Sequence, residues 1–522
     1  MKNLFITIIA FLSFTLTSFA QVSPVWIQRY NSQGIIDDES KDMTMDSLGN
    51  IYITGYSGGV TTAKYDNNGQ LIWHNYIDYL YFHPSHVKVG KTGNTYVTAY
   101  LDWIGDWILI KYNNNGDSLW TRDYSQGYSD GRDPISIFLD ENENCFLSGS
   151  TLENKLGLIK YDSSGNLKME KTYEFQNASG GNSMVFDGNK NFYIAGWAFT
   201  SNPFVSNALI VKIDTSGNLK WSNIYNPNTY ITLNAIKIVC DKQNNVEVGV
   251  RIEDSITRRE HFCVLKYSSN GDLIWSKLFL IPIYDDELQT LSSDSKCNVI
   301  VGSVSGIPGT APDYCTIKYD SSGNKKWTRF YSGYPNPFLT DDYIRAMLVD
   351  SSDNIYVTGN PATIKYDING NQLWFFNNTF NGNFVDCNVI LNDKYNNIYL
   401  FGNWTSNLSH YSFDLFTLKL SQSGSNNPSN NTVTISGLYQ NFPNPFNAST
   451  EIKYQVKNDN SYVVLKIYNI LGQEISTLLS GKRDAGIYSS IFNGSYLASG
   501  IYFYRLIINN KTIDTKKMFL IK

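Results

Sequence analysis

The sequence predicts an all-β protein, in which an eight-bladed β-propeller is followed by a small Ig-like β-sandwich. One observation is a recurring decapeptide, first seen as "KYDNNGQLIW" at 64–73. The other is an isolated strand-like run near the start of the chain, "WIQRY" at 26–30. The copies of the decapeptide begin at Lys64, Lys111, Lys160, Lys212, Lys266, Lys318, Lys365 and, without a final tryptophan, Lys419.

Each decapeptide lies within a unit of four short apolar runs. In the first unit and the start of the next, these runs are "NIYITG" (50–55), "TTAKY" (61–65), "WHNYI" (73–77) and "HVKVG" (86–90). They are rich in β-branched and aromatic residues and are bounded by Asp, Asn, Ser and Gly, which is typical of hairpins. Because four antiparallel strands repeat every ~50 residues, the unit is interpreted as a propeller blade.

The two ends of the repeat array complement each other. The eighth unit supplies three strands and stops at Leu420, whereas Trp26 to Tyr30 resembles a fourth strand with no unit before it. We therefore expect the N-terminal strand to complete the last blade and close a ring of eight. Met169 stands in place of the tryptophan in the third unit.

Composition and the N-terminus limit the class of protein. With 42 Lys and Arg against 47 Asp and Glu, and no basic stripe, the chain is not expected to bind nucleic acid.

An apolar run from Leu4 to Leu16 followed by "TSFAQ" predicts a signal peptide at 1–20, cleaved before Gln21, with a membrane anchor as the alternative. Six scattered cysteines without a CxxC pair are interpreted as buried free thiols, with disulfides as the alternative.

Two copies carry a family resemblance. "DWILIKYNNNGDSLW" (106–120) and "DYCTIKYDSSGNKKW" (313–327) resemble the bacterial beta-propeller repeat family abbreviated SBBP, although several other copies lack the leading Asp. The resemblance implies an exported surface protein and no settled activity.

The C-terminal part of the chain does not continue the repeat pattern. We expect the propeller to span 21–420, a Ser/Asn-rich linker to span 421–434, and about seven short strands to form a β-sandwich at 435–522. Four segments, "NFPNPFN" (441–447), "YNILGQEI" (468–475), "LASGIYFYRL" (497–506) and "KMFLIK" (517–522), resemble the type A C-terminal sorting domain of the type IX secretion system. The matching sorting-signal residues are Asn441, Pro443, Asn444, Pro445, Phe446, Gly472, Gly500, Tyr502, Lys517 and Lys522.

That resemblance implies a second export step, across the outer membrane, with the type IX secretion machinery as partner. The mature protein would then be located at the cell surface or outside the cell. No transmembrane anchor is expected in the mature chain, because no later stretch reaches the roughly 18 to 20 apolar residues that a span requires. A plain Ig-like module is the alternative for this region.

No motif for a catalytic or metal centre stands out. "HPSH" at 83–86 is the only close histidine pair, and its histidines are interpreted as exposed loop residues, so neither a metal nor a cofactor is expected. The repeated "DxSGN" turns resemble calcium loops but lack a bidentate Glu, so we interpret them as turn chemistry.

One asymmetry favours a binding face. Acidic loops before the predicted innermost strands would share a face with aromatic loops, a combination suited to carbohydrate because aromatic planes stack on sugars and carboxylates accept hydroxyl hydrogen bonds. The candidate residues are Asp37, Asp38, Asp130, Asp133, Asp285, Asp286, Asp341, Asp342, Trp103, Trp197, Phe199 and Trp404. The alternative is that the acidic turns keep one face soluble and the aromatic residues pack between blades.

The sequence therefore favours a non-enzymatic, exported binding or scaffolding module, whose ligand would be a polysaccharide or another surface protein. Two enzyme classes remain as alternatives. One is a lyase or glycosidase acting on polysaccharide. The other is a quinoprotein-like dehydrogenase, for which no ligand set and no vicinal cysteine pair is found.

Overall fold

The computed structural model is all-β and divides into two compact units, 1–424 and 425–522. It describes residues 22–30, 38–78, 82–101, 106–124, 134, 136–151, 153–199, 206–227, 230–279, 286–306, 312–331, 342–380, 383–405, 413–422, 437–438, 441, 446, 448–458, 460–483 and 486–520. The predicted signal peptide at 1–20 and the predicted cleavage point before Gln21 lie outside these residues.

The described residues of the first unit form eight antiparallel sheets, which we number I to VIII in chain order. Sheet I contains β2 (Glu39–Met45), β3 (Ile51–Tyr56), β4 (Val60–Tyr65) and β5 (Leu71–Ile77), and sheet II contains β6 (Phe82–Val89), β7 (Thr95–Leu101), β8 (Trp107–Tyr112) and β9 (Ser118–Tyr124). Sheet III contains β10 (Ser136–Leu139), β11 (Cys145–Ser150), β12 (Leu156–Tyr161) and β13 (Leu167–Tyr173). Sheet IV contains β14 (Ala178–Phe186), β15 (Asn191–Phe199), β16 (Ser206–Asp214) and β17 (Leu219–Tyr225). Sheet V contains β18 (Tyr230–Cys240), β19 (Val246–Asp254), β20 (Glu260–Tyr267) and β21 (Leu273–Phe279). Sheet VI contains β22 (Asp286–Ser293), β23 (Val299–Gly306), β24 (Pro312–Tyr319) and β25 (Lys325–Tyr331). Sheet VII contains β26 (Tyr343–Val349), β27 (Ile355–Asn360), β28 (Ala362–Tyr366) and β29 (Gln372–Asn377).

Sheet VIII takes its strands from both ends of the unit. Its order is β1 (Ser23–Tyr30), β33 (Phe413–Ser421), β32 (Ile398–Thr405), β31 (Asn383–Asn392) and the short β30 (Thr379–Phe380). β1 runs antiparallel to β33 with Trp26 opposite Lys419, the pairing that the sequence predicts.

Burial within a sheet follows from its neighbours. The second and third strands, such as β3 and β4, are almost wholly buried, whereas the fourth, such as β5, exposes alternate residues. Core clusters join adjacent sheets: Tyr52 and Trp73 of sheet I pack with Val87 and Val97 of sheet II. Because each buried aliphatic side chain contributes roughly 1.5–3 kcal/mol, the stability of the unit resides mainly between its sheets.

The decapeptide forms the hairpin between the third and fourth strands. In the first copy, the Asp66 carboxylate accepts the backbone N–H groups of Asn68 at 2.9 Å and Gln70 at 2.8 Å. Gly69 closes the turn with φ of 82°, a conformation that glycine adopts at little cost. The Asp thus serves the turn, and Lys64 lies directly opposite Trp73 across the hairpin.

The tryptophan and the turn glycine explain why the decapeptide recurs. Six indoles pack on the turn glycine of the next sheet, and the Nε1–H of each donates to a backbone carbonyl of that turn; we call this the Trp–turn contact. The Nε1–O distances are 3.0–3.3 Å for Trp26 to Asn67, Trp73 to Asn114, Trp120 to Ser163, Trp221 to Ser269, Trp275 to Ser321 and Trp327 to Ile368. Most copies therefore supply an indole to the next sheet and a turn that receives the indole of the preceding one. Met169 takes the place of the indole on Gly217, and Trp374 donates to Gln422 Oε1 instead.

The same contact joins sheet VIII to sheet I. The carbonyl of Asn67 accepts both Trp26 Nε1–H at 3.0 Å and the Lys419 ammonium at 2.9 Å. Nearby, the backbone N–H of Ser40 donates to Asn403 Oδ1 at 2.7 Å. The first and last sheets in the chain are thus bonded to each other as other neighbours are.

A second turn, between the first and second strands, also depends on a carboxylate. In sheet I, Asp46 accepts the N–H of Asn50 and its side-chain amide. Sheet II has Gly90 at this position, and Glu143 of sheet III accepts the Thr92 N–H at 2.8 Å instead. A Cβ built on Gly90 would lie 2.3 Å from Glu143 Oε1, so the side chain of the neighbouring sheet occupies the place of the missing carboxylate.

The second unit contains seven strands in the described residues. They are β34 (Gly437–Leu438), β35 (Ser449–Val456), β36 (Ser461–Tyr468), β37 (Glu474–Arg483), β38 (Gly486–Asn493), β39 (Gly500–Ile508) and β40 (Lys511–Leu520). One sheet has the order β34-β35-β38 and the other β37-β36-β39-β40. A single buried cluster that includes Ile452, Leu465, Tyr504 and Met518 draws side chains from both sheets.

Candidate functional site

Half of the residues of the predicted acidic–aromatic face can be placed. Asp37, Asp130, Asp133, Asp285, Asp341 and Trp103 lie outside the described residues. Asp38, Asp286, Asp342, Trp197, Phe199 and Trp404 lie within them.

The three acidic residues among these are buried. Asp38 accepts the Ser57 hydroxyl, and Asp286 accepts the Ser305 hydroxyl in the equivalent place of sheet VI. Asp286 also lies 3.2 Å from His261 Nδ1. Asp342 is 2% exposed. The carboxylates of Asp38 and Asp286 already hold neighbouring side chains in place.

The aromatic residues separate into two groups. Trp197 and Phe199 end β15 together, half-buried, with ring centroids 5.0 Å apart. Trp404 is buried in sheet VIII, 5.6 Å from the ring of Phe416 and under the Arg29 guanidinium. Of the predicted set, the structure therefore brings Trp197 and Phe199 together and leaves both partly open to solvent.

A feature that the sequence analysis missed is a β-bulge on the first strand of seven sheets. The extra residue of each bulge is Lys41, Ser85, Asn182, Ile236, Gln289, Arg345 or Asn388. A bulge redirects a side chain and interrupts the ladder, and bulges are frequent beside binding sites. Six of these seven residues are polar, within runs otherwise typical of strands, and that was the only signal in the sequence.

Charged side chains from neighbouring first strands meet at these bulges. Asp42 Oδ2 lies 3.4 Å from Lys88 Nζ and 3.6 Å from His86 Nδ1, and accepts the Val87 N–H at 3.0 Å. Burial raises the pKa of Asp42, but the charge of Lys88 and the hydrogen bonds from His86 and the Val87 N–H outweigh this and lower the pKa to about 2. Asp42 is therefore a carboxylate at neutral pH.

A second ion pair joins sheets VII and VIII. Arg345 Nη2 lies 3.1 Å from Asp386 Oδ2, and both side chains remain partly open to solvent. Burial raises the pKa of Asp386, and the charge of Arg345 opposes that shift. The pair presents both a donor and an acceptor to a polar ligand.

Lys237 follows the bulge of sheet V. Desolvation by the surrounding protein lowers its pKa, although its side chain stays open to solvent, and the charge of Asp42 opposes the shift. Asp42 belongs to sheet I, four sheets away along the chain, so the charge of Asp42 acts on a lysine of a sheet that is distant in sequence. The first strands thus carry charged side chains of both signs beside several of their bulges, a chemistry suited to polar ligands.

The histidines lie elsewhere than the sequence analysis expected. His83 and His86 are on β6 rather than in an exposed loop, and His83 stacks on Tyr56 with centroids 4.4 Å apart. His261 is buried. The expectation of exposed loop histidines was wrong for His83 and His86, because Phe82 to Val89 continues as a strand through Pro84. Within the described ranges, no group of three or more His, Cys, Asp or Glu residues could hold a metal, and all six cysteines are free.

A buried triad distinguishes sheet V. Glu247 replaces the tyrosine found at this position in sheet I (Tyr52), and Lys266 Nζ lies 2.7 Å from Glu247 Oε1 and 2.8 Å from Asp241 Oδ2. The Lys266 ammonium thus contacts two buried acidic side chains. Burial raises the pKa of Glu247 to about 8, against the opposing charge of Lys266.

We expect this triad to make stability depend on pH. Because the pKa of Glu247 is raised by folding, the folded state binds the extra proton, and stability is lost as pH rises from about 5 through 8. The slope is at most about 1.4 kcal/mol per pH unit. Thermal melts at pH 5, 6, 7 and 8 should show a decline that Glu247→Gln removes, whereas Glu287→Gln, at an exposed site, keeps it. Parallel profiles for wild type and Glu247→Gln would contradict the assignment.

The residues of the predicted sorting signal fall into two groups. Asn441, Phe446 and Tyr502 are buried; the N–H of Asn441 donates to the Tyr504 hydroxyl at 2.8 Å, and the ring of Phe446 lies 6.0 Å from that of Phe492. Gly472 closes a turn with φ of 77°. Gly500 begins β39, and the Lys517 ammonium lies 4.9 Å from the ring of Phe519. Pro443, Asn444, Pro445 and Lys522 lie outside the described residues.

Within the described ranges, the structure contains no helical segment whose length and hydropathy would let it cross a bilayer.

Two protein-family models match parts of the chain. Residues 25–60 match a family described as beta-propeller repeat, and residues 440–522 match one described as secretion system C-terminal sorting domain. No curated protein matches the sequence significantly.

Similar solved structures are distant in sequence. A protein of unknown function from Bacteroides caccae is 10% identical, with a TM-score of 0.29, over 66% of this chain and 94% of that one. Puromycin hydrolase is 10% identical, with a TM-score of 0.44, over 72% of this chain and 59% of its own length. A eukaryotic initiation factor is 8% identical, with a TM-score of 0.41, over 87% of this chain and 91% of that one.

Proposed function

We propose that this chain, which carries beta-propeller repeats and a C-terminal sorting domain of the type IX secretion system, is a displayed or released binding module. The sorting domain indicates export across the outer membrane to the cell surface or the extracellular space, and it implies interaction with the secretion machinery. The observation that carries the binding role is the series of bulges, most of them polar, on the first strands of seven sheets.

The proposed architecture is a closed eight-bladed propeller at 21–420, a linker at 421–434 and an Ig-like sandwich at 435–522, after a signal peptide at 1–20. Bonds between the first and last sheets support closure. In a ring of eight, sheets I and V would lie opposite each other, and their bulges would line a central channel. Gln422 supports a blade boundary slightly beyond 420, because its side chain accepts Trp374 Nε1–H at 3.1 Å.

Carbohydrate is the proposed ligand class. Trp197 and Phe199 supply two adjacent, partly exposed rings, and such rings stack on sugar faces. The Arg345–Asp386 pair offers complementary hydrogen bonds to hydroxyl groups. Since Asp38 and Asp286 are buried and already bonded, we assign the sugar contacts to the exposed rings rather than to those carboxylates.

The test is a polysaccharide array probed with the purified protein, with a reducing-sugar assay on each bound glycan. Trp197→Ala/Phe199→Ala should lower retention at least tenfold, while Tyr395→Ala, which removes an exposed ring from a turn between first and second strands, should not. Melting temperatures establish that each variant is folded. Newly formed reducing ends would replace the binding role with an enzymatic one, and equal retention of all variants would exclude these rings as the sugar contact.

A further inference from the structure

The turn between β36 and β37 has an apolar tip. Asn469 Oδ1 accepts the N–H of Leu471 at 3.0 Å and of Gln473 at 2.9 Å, and Gly472 closes the turn. Ile470 is 68% exposed and Leu471 is 78% exposed. Two of the most exposed apolar side chains of the described residues are thus adjacent on a turn whose backbone is held by its own hydrogen bonds.

The same turn occurs in the first unit with a polar tip. At 113–117, "NNNGD", Asn113 Oδ1 accepts the N–H of Asn115 at 2.9 Å and of Asp117 at 2.9 Å, and Gly116 has φ of 89°. The hydrogen bonds and the glycine match those of 469–473. The fold therefore does not require apolar residues at 470 and 471, and water disfavours them there.

Other parts of the sorting segments lie at the same end of the sheet. Tyr468, which precedes the turn, is opposite Phe503 of β39, and Phe503 is opposite Lys517 of β40. Phe446 bridges Leu520 at the end of β40. Segments that are far apart along the chain thus meet beside the exposed tip.

We propose that Ile470 and Leu471 form a docking tip that inserts into an apolar recess of the type IX secretion machinery. The inference rests on the proposed export of this chain and adds the contact residues. The tip belongs to the region that matches the sorting-domain family, and the lysine at 517 gives the same end of the sheet a positive charge, so the recess is expected to have an acidic rim. A small, exposed apolar anchor on a rigid turn binds with little loss of conformational entropy.

The test compares full-length chains in a host that has type IX secretion. Ile470→Asn/Leu471→Asn reproduces the "NNNG" tip of 113–116, so the melting temperature should stay within about 2 °C of wild type. The extracellular fraction should fall at least tenfold, with the protein retained in the periplasm. Ile470→Val/Leu471→Met, which keeps the tip apolar, should be exported within twofold of wild type.

Two controls separate the possible failures. Ile256→Asn removes another exposed apolar side chain from an Asp-initiated turn, in the first unit, and should be exported normally. Deleting 440–522 should abolish export. If that deletion blocks export but the Asn/Asn variant is exported like wild type, the docking tip is wrong and delivery by the sorting domain stands. If the deletion itself has no effect, the proposed delivery fails.

A second polar variant covers the case in which the Asn/Asn variant melts lower than wild type. Ile470→Ser/Leu471→Ser copies the tip formed by Ser163 and Ser164 in the third decapeptide, where the carboxylate of Asp162 accepts the Ser164 N–H at 3.0 Å. The same criterion applies to it: a tenfold loss of export with an unchanged melting temperature supports the docking tip, and normal export overturns it.

Discussion

Deleting residues 22–30 is expected to lower the melting temperature by more than about 10 °C. The deletion removes β1, leaves β33 with an unpaired edge and separates sheet VIII from the turn of sheet I. Each lost ladder hydrogen bond costs roughly 1 kcal/mol. Asp414, only 4% exposed, would also lose its Arg29 partner, and an uncompensated buried charge costs roughly 3–5 kcal/mol.

Calorimetry or circular dichroism of the purified protein measures the effect. The matched control is Val25→Ala/Ile27→Ala, because these β1 side chains are 53% and 38% exposed and contribute little burial. A melting temperature within about 2 °C of wild type after deletion would show that β1 does not hold sheet VIII to sheet I, and the closed ring would be abandoned.

Trp327→Ala is expected to destabilise the protein by about 3–4 kcal/mol. The indole is 9% exposed, donates to Ile368 O at 3.1 Å and packs on Gly370, where an added Cβ would lie 2.7 Å from its Cδ2. Trp327→Met should cost about half as much, because Met169 fills the corresponding place against Gly217 in the chain itself.

Urea unfolding gives the comparison directly. Leu119→Ala is the control, since this apolar side chain also belongs to a fourth strand but is 50% exposed, and it should change stability by less than about 0.5 kcal/mol. Equal losses for Trp327→Ala and Trp327→Met would mean that filling the space on the glycine is not what stabilises the contact.

Local chemistry made much of the first unit predictable. The first turn residue and the Gly of the decapeptide act within one hairpin, and the Lys–Trp spacing fixes its register, so Trp26 could be placed opposite Lys419 from the sequence. The number of strands in the second unit followed in the same way from its turn residues. The arrangement of those strands as an Ig-like sandwich, and the closure of eight sheets into one ring, stay predictions.

The candidate site was less predictable because its features depend on distant residues or on small backbone irregularities. A bulge adds one residue to a strand, and within so short a run the only sign of it is a polar residue such as Lys41 or Arg345, which an ordinary strand could equally place on its exposed face. The burial of Asp286 depends on Ser305 and His261, which are not adjacent in sequence. Only the proximity of Trp197 to Phe199, which are two residues apart on one strand, could have been predicted from the local sequence.

The carboxylate of Glu143 binds the turn at Gly90 in the neighbouring sheet. A residue of sheet VII makes an equivalent contact with its own neighbour. There, Asp353 accepts the N–H of Ser295 of sheet VI at 2.8 Å. Repeats with very similar sequences therefore carry individual side chains that bind only one particular neighbouring sheet. A recombination that swapped or duplicated these copies would leave one turn without the carboxylate that its neighbour supplies. It would also bring another carboxylate into steric conflict with a turn that has no space for it. The order of the repeats along the chain is therefore fixed by these contacts.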